Sequence, residues 1–268
     1  TYSPLKYWPN NPADKLSFMA YAPYVKEAVG SNPSFSGITA GGYPSLGYTV
    51  PATDNEQKDL LVAVPLMDRT YATDNGKVSF TMEHALTRVT VFVKSNDNVA
   101  GKKLTDFSIQ AVKKGTMTFR TPTADNAKCL GWTFGTPVEM IAVKPFNPSG
   151  TTFPFAVPAV KDEKKQLADF FLLPATGTAH KFSITYTTAG TAGNGQSAPV
   201  QTVTLTDQPL PSMDKWGIGA YVSYTFAIEK QKLTVTTSVH PTWSDAGTGT
   251  VTGSVVITYT ENGTFPNW

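Results

Sequence analysis

Apolar and polar residues alternate along residues 78–94, and the alternation changes phase once. Apolar side chains occupy every second position in residues 78–82 and again in residues 89–93, with opposite parity in the two series. Such alternation is typical of a β-strand that is covered on one face. The change of parity predicts a bulge or a short break near Ala85.

The same alternation recurs along the rest of the chain in short runs. Residues 180–187 with 200–206, and residues 216–228 with 232–240, predict two hairpins. Residues 104–112 followed by 115–119 predict a third. Between the runs lie turn-forming residues, among them many of the 21 glycines and 20 prolines, and helical periodicity is nearly absent. The pattern predicts an all-β sandwich fold.

A change of composition near the middle predicts two domains. Residues 161–165, Lys-Asp-Glu-Lys-Lys, are the densest charge cluster of the chain and are most simply a solvated linker or turn. At 268 residues the chain is long enough for two domains of about 100 to 150 residues. We therefore expect one β-sandwich domain over residues 1–163 and a second over residues 164–268, with residues 244–268 as a C-terminal strand extension.

Composition and charge exclude several classes of partner. Charged residues make up 16% of the chain and nearly cancel to a formal charge of +2, so no basic patch for nucleic acid is expected. Cys129 is the one cysteine, which leaves no intrachain disulfide and no cysteine metal cluster; a small buried side chain is its simplest role. No stretch reaches the roughly 18 apolar residues of a membrane helix.

Candidate catalytic residues are sparse. The chain has none of the common nucleophile, phosphate-binding, zinc-protease or dinucleotide motifs, and no cofactor is predicted. His84 lies at the predicted strand irregularity with no second histidine or paired carboxylate near it in sequence. We expect a backbone group to satisfy its ring. The turn-like Asp74-Asn-Gly76 favours a turn over a calcium site.

Three segments in a fixed order resemble the fimbrillin-like family. They are Phe-Met-Ala-Tyr-Ala-Pro-Tyr at 18–24, Gln-Lys-Asp-Leu-Leu-Val-Ala at 57–63, and residues 78–94. The resemblance extends to Trp216 before a Tyr-rich strand and to Trp243 after residues 233–239. The family consists of secreted lipoprotein pilins and pilus-associated adhesins of Bacteroides-type bacteria.

The resemblance implies a fold, a location and a role. It implies two tandem Greek-key domains of the transthyretin-like kind, and a precursor exported as a lipoprotein whose acylated cysteine lies upstream. Membrane attachment would then depend only on a removed or upstream lipid anchor, at the outer membrane or in a fimbria. A structural and adhesive role is implied, and no enzyme.

The start of the chain is the first departure from the family pattern. Members usually have one or more strands upstream of the position that matches Tyr7-Trp8-Pro9. In polymerising fimbrillins a surface protease cuts after an arginine, the leading strand leaves, and a strand from the next subunit replaces it. The resemblance therefore makes Leu16, Phe18 and Ala20 a candidate acceptor edge. The alternative is that the upstream residues are absent for reasons unrelated to maturation.

The end of the chain is the second departure. A Gly/Thr-rich tether at residues 247–253 leads into an uncharged, β-prone strand. In polymerising members the C-terminal appendage is the donor that enters the neighbour's groove. The candidate donor residues are Val255, Val256, Ile257, Thr258 and Tyr259. The alternative is that this strand pairs back onto residues 233–239 and completes its own domain.

These observations predict a pilus subunit or tip adhesin that assembles by β-strand addition. Its expected partners are other pilin subunits and a host glycan or protein receptor. The alternative is a monomeric carbohydrate-binding surface lipoprotein. Formation of ladders or filaments by the purified protein would separate the two.

Overall fold

β-Strands make up just over half of the residues that the computed structural model describes. The structure describes residues 7–26, 30–37, 43–119, 130–146, 153–175, 180–191, 197–229, 232–241, 243 and 249–258. Helical structure in these residues amounts to the four-residue helix α1 and two 3-10 turns, at Asp54–Glu56 and Met213–Lys215. The all-β fold class predicted from the alternation is confirmed.

The elements follow one another in this order: β1 Leu16–Phe18, β2 Tyr21–Ala22, β3 Ser34–Phe35, β4 Ser45–Thr49, β5 Leu61–Ala63, β6 Leu66–Arg69, α1 Tyr71–Asp74, β7 Met82–His84, β8 Thr87–Ser95, β9 Lys103–Val112, β10 Lys114–Thr118, β11 Trp132–Thr133, β12 Met140–Val143, β13 Phe155–Ala156, β14 Lys164–Leu172, β15 Lys181–Thr191, β16 Ser197–Pro209, β17 Tyr221–Ile228, β18 Lys232–His240 and β19 Thr250–Thr258.

The chain forms two compact units, each assembled from separate segments. Unit 1 comprises Thr1–Tyr48, Asp59–Ala85 and Gly115–Thr133, and unit 2 comprises Thr49–Lys58, Leu86–Lys114 and Phe134–Trp268.

Unit 1 is built from small sheets. Its strands pair in the orders β11-β10-β4-β3, β2-β5-β7 and β1-β6. Aromatic rings fill its interior, with Phe35 6.1 Å from Tyr21 and 6.4 Å from Phe119 between ring centroids. Such pairs stabilise a core beyond the area they bury.

Unit 2 is a sandwich of two five-stranded sheets. One sheet has the order β12-β9-β15-β16, with β13 also pairing with β9, and the other has the order β14-β8-β17-β18-β19; we call them the β9 sheet and the β17 sheet. The Phe226 ring on β17 lies 5.1 Å from Phe107 and 5.0 Å from Phe182, both in edge-to-face geometry. These contacts hold the inner faces of the two sheets together.

Two of the predicted hairpins are confirmed and the third is wrong. β15 pairs with β16, and β17 pairs with β18, both antiparallel. In contrast, β9 pairs with β12, β13 and β15, whereas β10 joins the sheet of β4 and β11. The predicted break near Ala85 is confirmed, because β7 ends at His84 and β8 begins at Thr87.

The two units do not coincide with the predicted domains 1–163 and 164–268. Lys164 and Lys165 are the first residues of β14, which pairs with β8 along its length, and β9 pairs with β15. Apolar side chains drive this pairing, since Phe170 and Leu172 are buried like Val89 and Val91. The charge cluster at 161–165 therefore leads into β14, whose first residue is Lys164. The sheets of unit 2 contain residues that precede the cluster in sequence and residues that follow it.

Candidate assembly strand and acceptor edge

The candidate donor residues lie in β19, at one edge of the β17 sheet. β19 pairs antiparallel with β18, with Val255 opposite Val235 and Ile257 opposite Leu233. Val255 and Ile257 are half-buried, whereas Val256 is 55% exposed and Thr258 is exposed. The fifth candidate, Tyr259, lies outside the described residues. In this chain the described candidate residues thus pair within their own sheet.

Burial along β19 is low, and in the described part of the chain the strand has a partner strand on one side only. None of its nine residues is fully buried. The strand has no charged residue and no proline, and seven of its residues are threonine, valine or isoleucine. Such residues favour strands, so the sequence supports an extended conformation that its own packing stabilises only weakly.

Gly253 brings β19 close to a turn of unit 2. A Cβ at this position would overlap the hydroxyl of Ser212 and would lie 3.5 Å from Pro211. Ser212 has a φ of 54°, a left-handed conformation that non-glycine residues adopt at a cost. The absence of a side chain at Gly253 therefore allows β19 to pack against this turn.

The chain before β19 is anchored by a charged and aromatic cluster. Arg88 donates to Asp169 through Nε and Nη2 at 3.1 and 2.7 Å, and to the carbonyl of Trp243 through Nη1 at 2.8 Å. The Trp243 indole donates to Gly219 at 2.7 Å and stacks on Phe171 with 5.6 Å between centroids. Sequence analysis singled out Trp243 for its position, but no pattern predicted its partner Arg88.

Tyr221 completes this cluster on the neighbouring strand. The Arg88 guanidinium lies 4.7 Å from the centre of the Tyr221 ring, and His240 stacks on the same ring at 4.0 Å between centroids. The two groups come from β8 and β18, the strands on either side of β17. The cluster therefore joins adjacent strands at the position where the chain leaves β18.

The candidate acceptor residues Leu16, Phe18 and Ala20 do not form one continuous strand. Leu16 and Phe18 lie in β1, opposite Arg69 and Leu66 of β6. The Ala20 carbonyl accepts a hydrogen bond from the amide of Ala63, next to β2. Among the residues that the structure describes, β1 has a strand partner on one side only. Residues 16–21 are therefore divided between two small sheets.

His84 has a carboxylate partner that the sequence analysis did not predict. Its Nδ1 lies 2.8 Å from Oδ2 of Asp59, and both side chains are partly exposed. Burial raises the pKa of the nearby Tyr48 hydroxyl, and the charge of Asp59 raises it further. Sequence reasoning missed Asp59 because it lies 25 residues from His84 along the chain; β5 and β7 pair Leu61 with His84 and so bring the two together.

The described part of the chain offers neither a metal site nor a membrane-spanning helix. Within it, no group of three or more histidine, cysteine, aspartate or glutamate side chains could hold a metal ion. Its helices are too short and too polar for any of them to cross a membrane.

The solved structures that resemble this chain include three candidate cell adhesion proteins from Bacteroides species. The Bacteroides uniformis protein is 19% identical, with a TM-score of 0.47, and the match covers 89% of this chain and 77% of that protein. The Bacteroides ovatus protein is 17% identical, with a TM-score of 0.40 and coverage of 84% and 67%. The Bacteroides eggerthii protein is 13% identical, with a TM-score of 0.28 and coverage of 81% and 79%.

The family of the chain follows from its sequence. Comparison with curated proteins gave no match. The model of the fimbrillin-like family matches residues 1–243, which end at the anchored Trp243 and leave β19 outside the match. Because the family model matches most of the length of this chain, the chain belongs to the fimbrillin-like family.

Proposed function

We propose that this chain is a structural and adhesive subunit of the bacterial cell surface, a pilus subunit or tip adhesin that joins other pilin subunits by β-strand addition. Family membership supports the role, and the proposal includes no catalytic activity. The subunit would be held at the outer membrane or in a fimbria, with a lipid anchor upstream. Besides pilin subunits, its partner would be a host glycan or protein receptor.

The observation that carries the proposal is the contrast between Trp243 and β19. Arg88, Phe171 and Gly219 hold Trp243, whereas none of the nine residues of β19 is fully buried. A strand with little burial at a sheet edge opens at a low free-energy cost. β19 can therefore leave β18 while the rest of the sheet remains intact, as a donor strand must.

The donor would present alternate side chains to the neighbouring subunit. Val255 and Ile257 lie on one face of β19, and Val256 and Thr258 lie on the other. In strand addition the backbone supplies the hydrogen bonds, and alternate side chains fill pockets of the acceptor. We propose β1, with Leu16 and Phe18, and the adjoining Ala20 as the acceptor edge.

A disulfide between β18 and β19 tests the donor proposal. Thr236 lies opposite Ser254, so cysteines at both positions, in a Cys129→Ser background, would form a reversible tether. The reduced protein is expected to form ladders of oligomers on native gels and filaments by electron microscopy. Oxidation should abolish both, because β19 can then no longer leave its sheet.

The control is a tether of the same kind in the β9 sheet. Thr187 and Thr202 face each other across β15 and β16, and cysteines there should leave assembly unchanged on oxidation. If the Thr236→Cys/Ser254→Cys protein assembles equally well in both redox states, β19 is not the donor. The disulfides are verified by intact mass.

An aromatic cluster in unit 1 favours glycan binding as a second candidate function. Trp8 lies 5.6 Å from Phe18 and 6.2 Å from Tyr71 between ring centroids, and Tyr71 is exposed. Exposed aromatic rings can stack on the apolar faces of sugars. Binding to a glycan array that is lost in Tyr71→Ala would support a monomeric carbohydrate-binding lipoprotein. The control is Tyr24→Ala, which removes another exposed tyrosine and should leave binding unchanged. Equal binding by wild type and Tyr71→Ala would exclude this site.

A further inference from the structure

The edges of the two sheets in unit 2 are protected to different extents. The β17 sheet ends at β14 and β19, and the β9 sheet ends at β16 and at the short strands β12 and β13. Natural edge strands usually carry charges, prolines, bulges or a cover that prevents pairing with another molecule. An edge strand without such protection can pair with a strand of another molecule.

The edge of β14 is closed by two side chains. Oε1 of Gln57 accepts a hydrogen bond from the amide of Phe171 at 2.8 Å, and the Asp54 carboxylate lies close to the backbone amide of Asp169. Gln57 is 5% exposed, and its Nε2 donates to the carbonyl of Pro51 at 2.9 Å. Residues 169 and 171 are two apart, so both amides point out of the same edge. An incoming strand would have to displace both side chains.

The edges of the β9 sheet are also protected. β16 contains Pro199 and Pro209, which lack a backbone donor, and Asp207 with a φ of 53°. Its pairing with β15 is interrupted twice. On the opposite edge β13 has only two residues, and the four-residue β12 is followed by a bridge between Lys144 and Thr53.

Residues 253–258 of β19 have none of these protections. After an irregularity near Gly253, its residues 253–258 pair regularly with β18, and Thr250–Thr258 contains no charge and no proline. Among the described residues, no strand or backbone group pairs with its outer edge. Among the described edges of unit 2, β12 is also uncharged and regularly paired but has only four residues, so β19 presents the longest edge of this kind.

We propose that β19, while still paired with β18, pairs antiparallel with β19 of a second copy of this chain and forms a symmetric dimer. Within unit 2, the edges of β14, β16, β12 and β13 are protected or short, so the unit 2 edge that best fits a paired β19 is β19 of the second copy; this contact differs from donation of a released β19 to β1. A symmetric contact of this kind closes after two copies. The two uncharged strands meet without like-charge repulsion.

Symmetry determines which residues meet at the centre of this contact. A two-fold axis normal to the joined sheets places each residue opposite one whose side chain lies on the same face. For residues 253–258 the axis passes close to Val255 or Val256. Val256, which is 55% exposed, lies either directly opposite Val256 of the second copy or one position away from the axis. A charge at this position would therefore lie directly opposite, or diagonally close to, a like charge on the partner.

Charge substitutions at Val256 test the dimer. The wild-type protein is expected to dimerise with rising concentration in analytical ultracentrifugation. Val256→Lys and Val256→Glu should each weaken the dimer by about tenfold or more, because like charges across paired strands repel. An equimolar mixture of the two variants should restore dimers. Val200→Lys is the matched control, since Val200 on β16 is 65% exposed and its substitution should change nothing.

The outcomes separate this inference from the proposed function. The edge dimer does not require β19 to leave β18, so the oxidised Thr236→Cys/Ser254→Cys protein should still dimerise. A chain that stays monomeric at all concentrations, a dimer insensitive to charge at Val256, or a dimer lost on oxidation would each overturn the inference. The donor proposal depends instead on whether oxidation abolishes ladders and filaments, which a closed dimer does not form.

Discussion

β17 and β19 lie two strands apart in the same sheet, and they differ completely in burial. All eight residues of β17 are buried, whereas none of the nine residues of β19 is. Both strands are uncharged and rich in β-forming residues. Their different burial follows from position, because β17 lies between β8 and β18 and faces the β9 sheet through Phe226. Position in the sheet makes β17 the centre of the core and β19 a separable edge.

The largest expected loss of stability follows from truncating a side chain in the central strand β17. Phe226→Ala should lower the free energy of unfolding by about 3–5 kcal/mol, because it leaves a cavity beside Phe107 and Phe182. Ile257→Ala on the half-buried β19 should cost only about 1 kcal/mol. Chemical denaturation measures both values. Equal costs would show that β19 belongs to the same cooperative core.

Loss of the cluster beside Trp243 should have the next largest effect. Arg88→Ala should cost about 2 kcal/mol, because it removes the pair with Asp169, the bond to Trp243 and the contact with Tyr221. The side chains of Arg88 and Asp169 are 14% and 25% exposed, and solvent screening keeps the cost below that of a fully buried pair. In a double-mutant cycle with Asp169→Asn, additive losses would contradict a direct interaction.

A side chain at Gly253 should have a smaller effect that acts on β19. Gly253→Ala should cost about 1 kcal/mol, because the new methyl group overlaps Ser212. Ser212→Gly removes the overlapping hydroxyl and relieves the left-handed conformation of this residue. The double variant should recover the stability lost in Gly253→Ala. A double variant no more stable than Gly253→Ala would show that the turn does not limit the approach of β19.

The smallest expected effect is a pH dependence from His180. Burial lowers the pKa of its ring, although hydrogen bonds to Gln110 and Ala175 oppose the shift. The unfolded chain therefore binds this proton more readily than the folded one, and stability should fall as the pH drops below about 6.5. Melting temperatures between pH 8 and pH 5 should show a smaller fall in His180→Gln. The same fall in both proteins would assign it to other groups.

The sequence predicted strands more reliably than it predicted their partners. Alternation located β15 to β18 and the break at Ala85, because one-sided burial imposes a period of two. The same alternation joined β9 and β10 in a hairpin that does not form, since pairing depends on contacts between distant segments. The charge cluster at 161–165 indicated a linker because charged side chains favour solvent, and all five residues are exposed, although Lys164 and Lys165 begin β14.

The candidate site shows the same limit. The β-prone character of residues 255–258 and their pairing with residues 233–239 could be predicted from alternation, and β18 and β19 pair in this way. The Arg88 cluster and the Asp59 partner of His84 could not, because each joins residues that only the fold brings together. Lys102 likewise looks like a solvated lysine in sequence but is buried beside Ser95 and Asp97.

Native-state hydrogen exchange tests the separability of β19 most directly. The amides of β19 that donate to β18 should exchange through a local opening, at a free energy well below that of global unfolding. The amides of β17 should exchange only with global unfolding, and those of β14, whose edge Asp54 and Gln57 cover, should be more protected than those of β19. If β19 and β17 exchange with the same opening free energy, β19 is an integral strand of the core, which contradicts its role as a separable assembly strand.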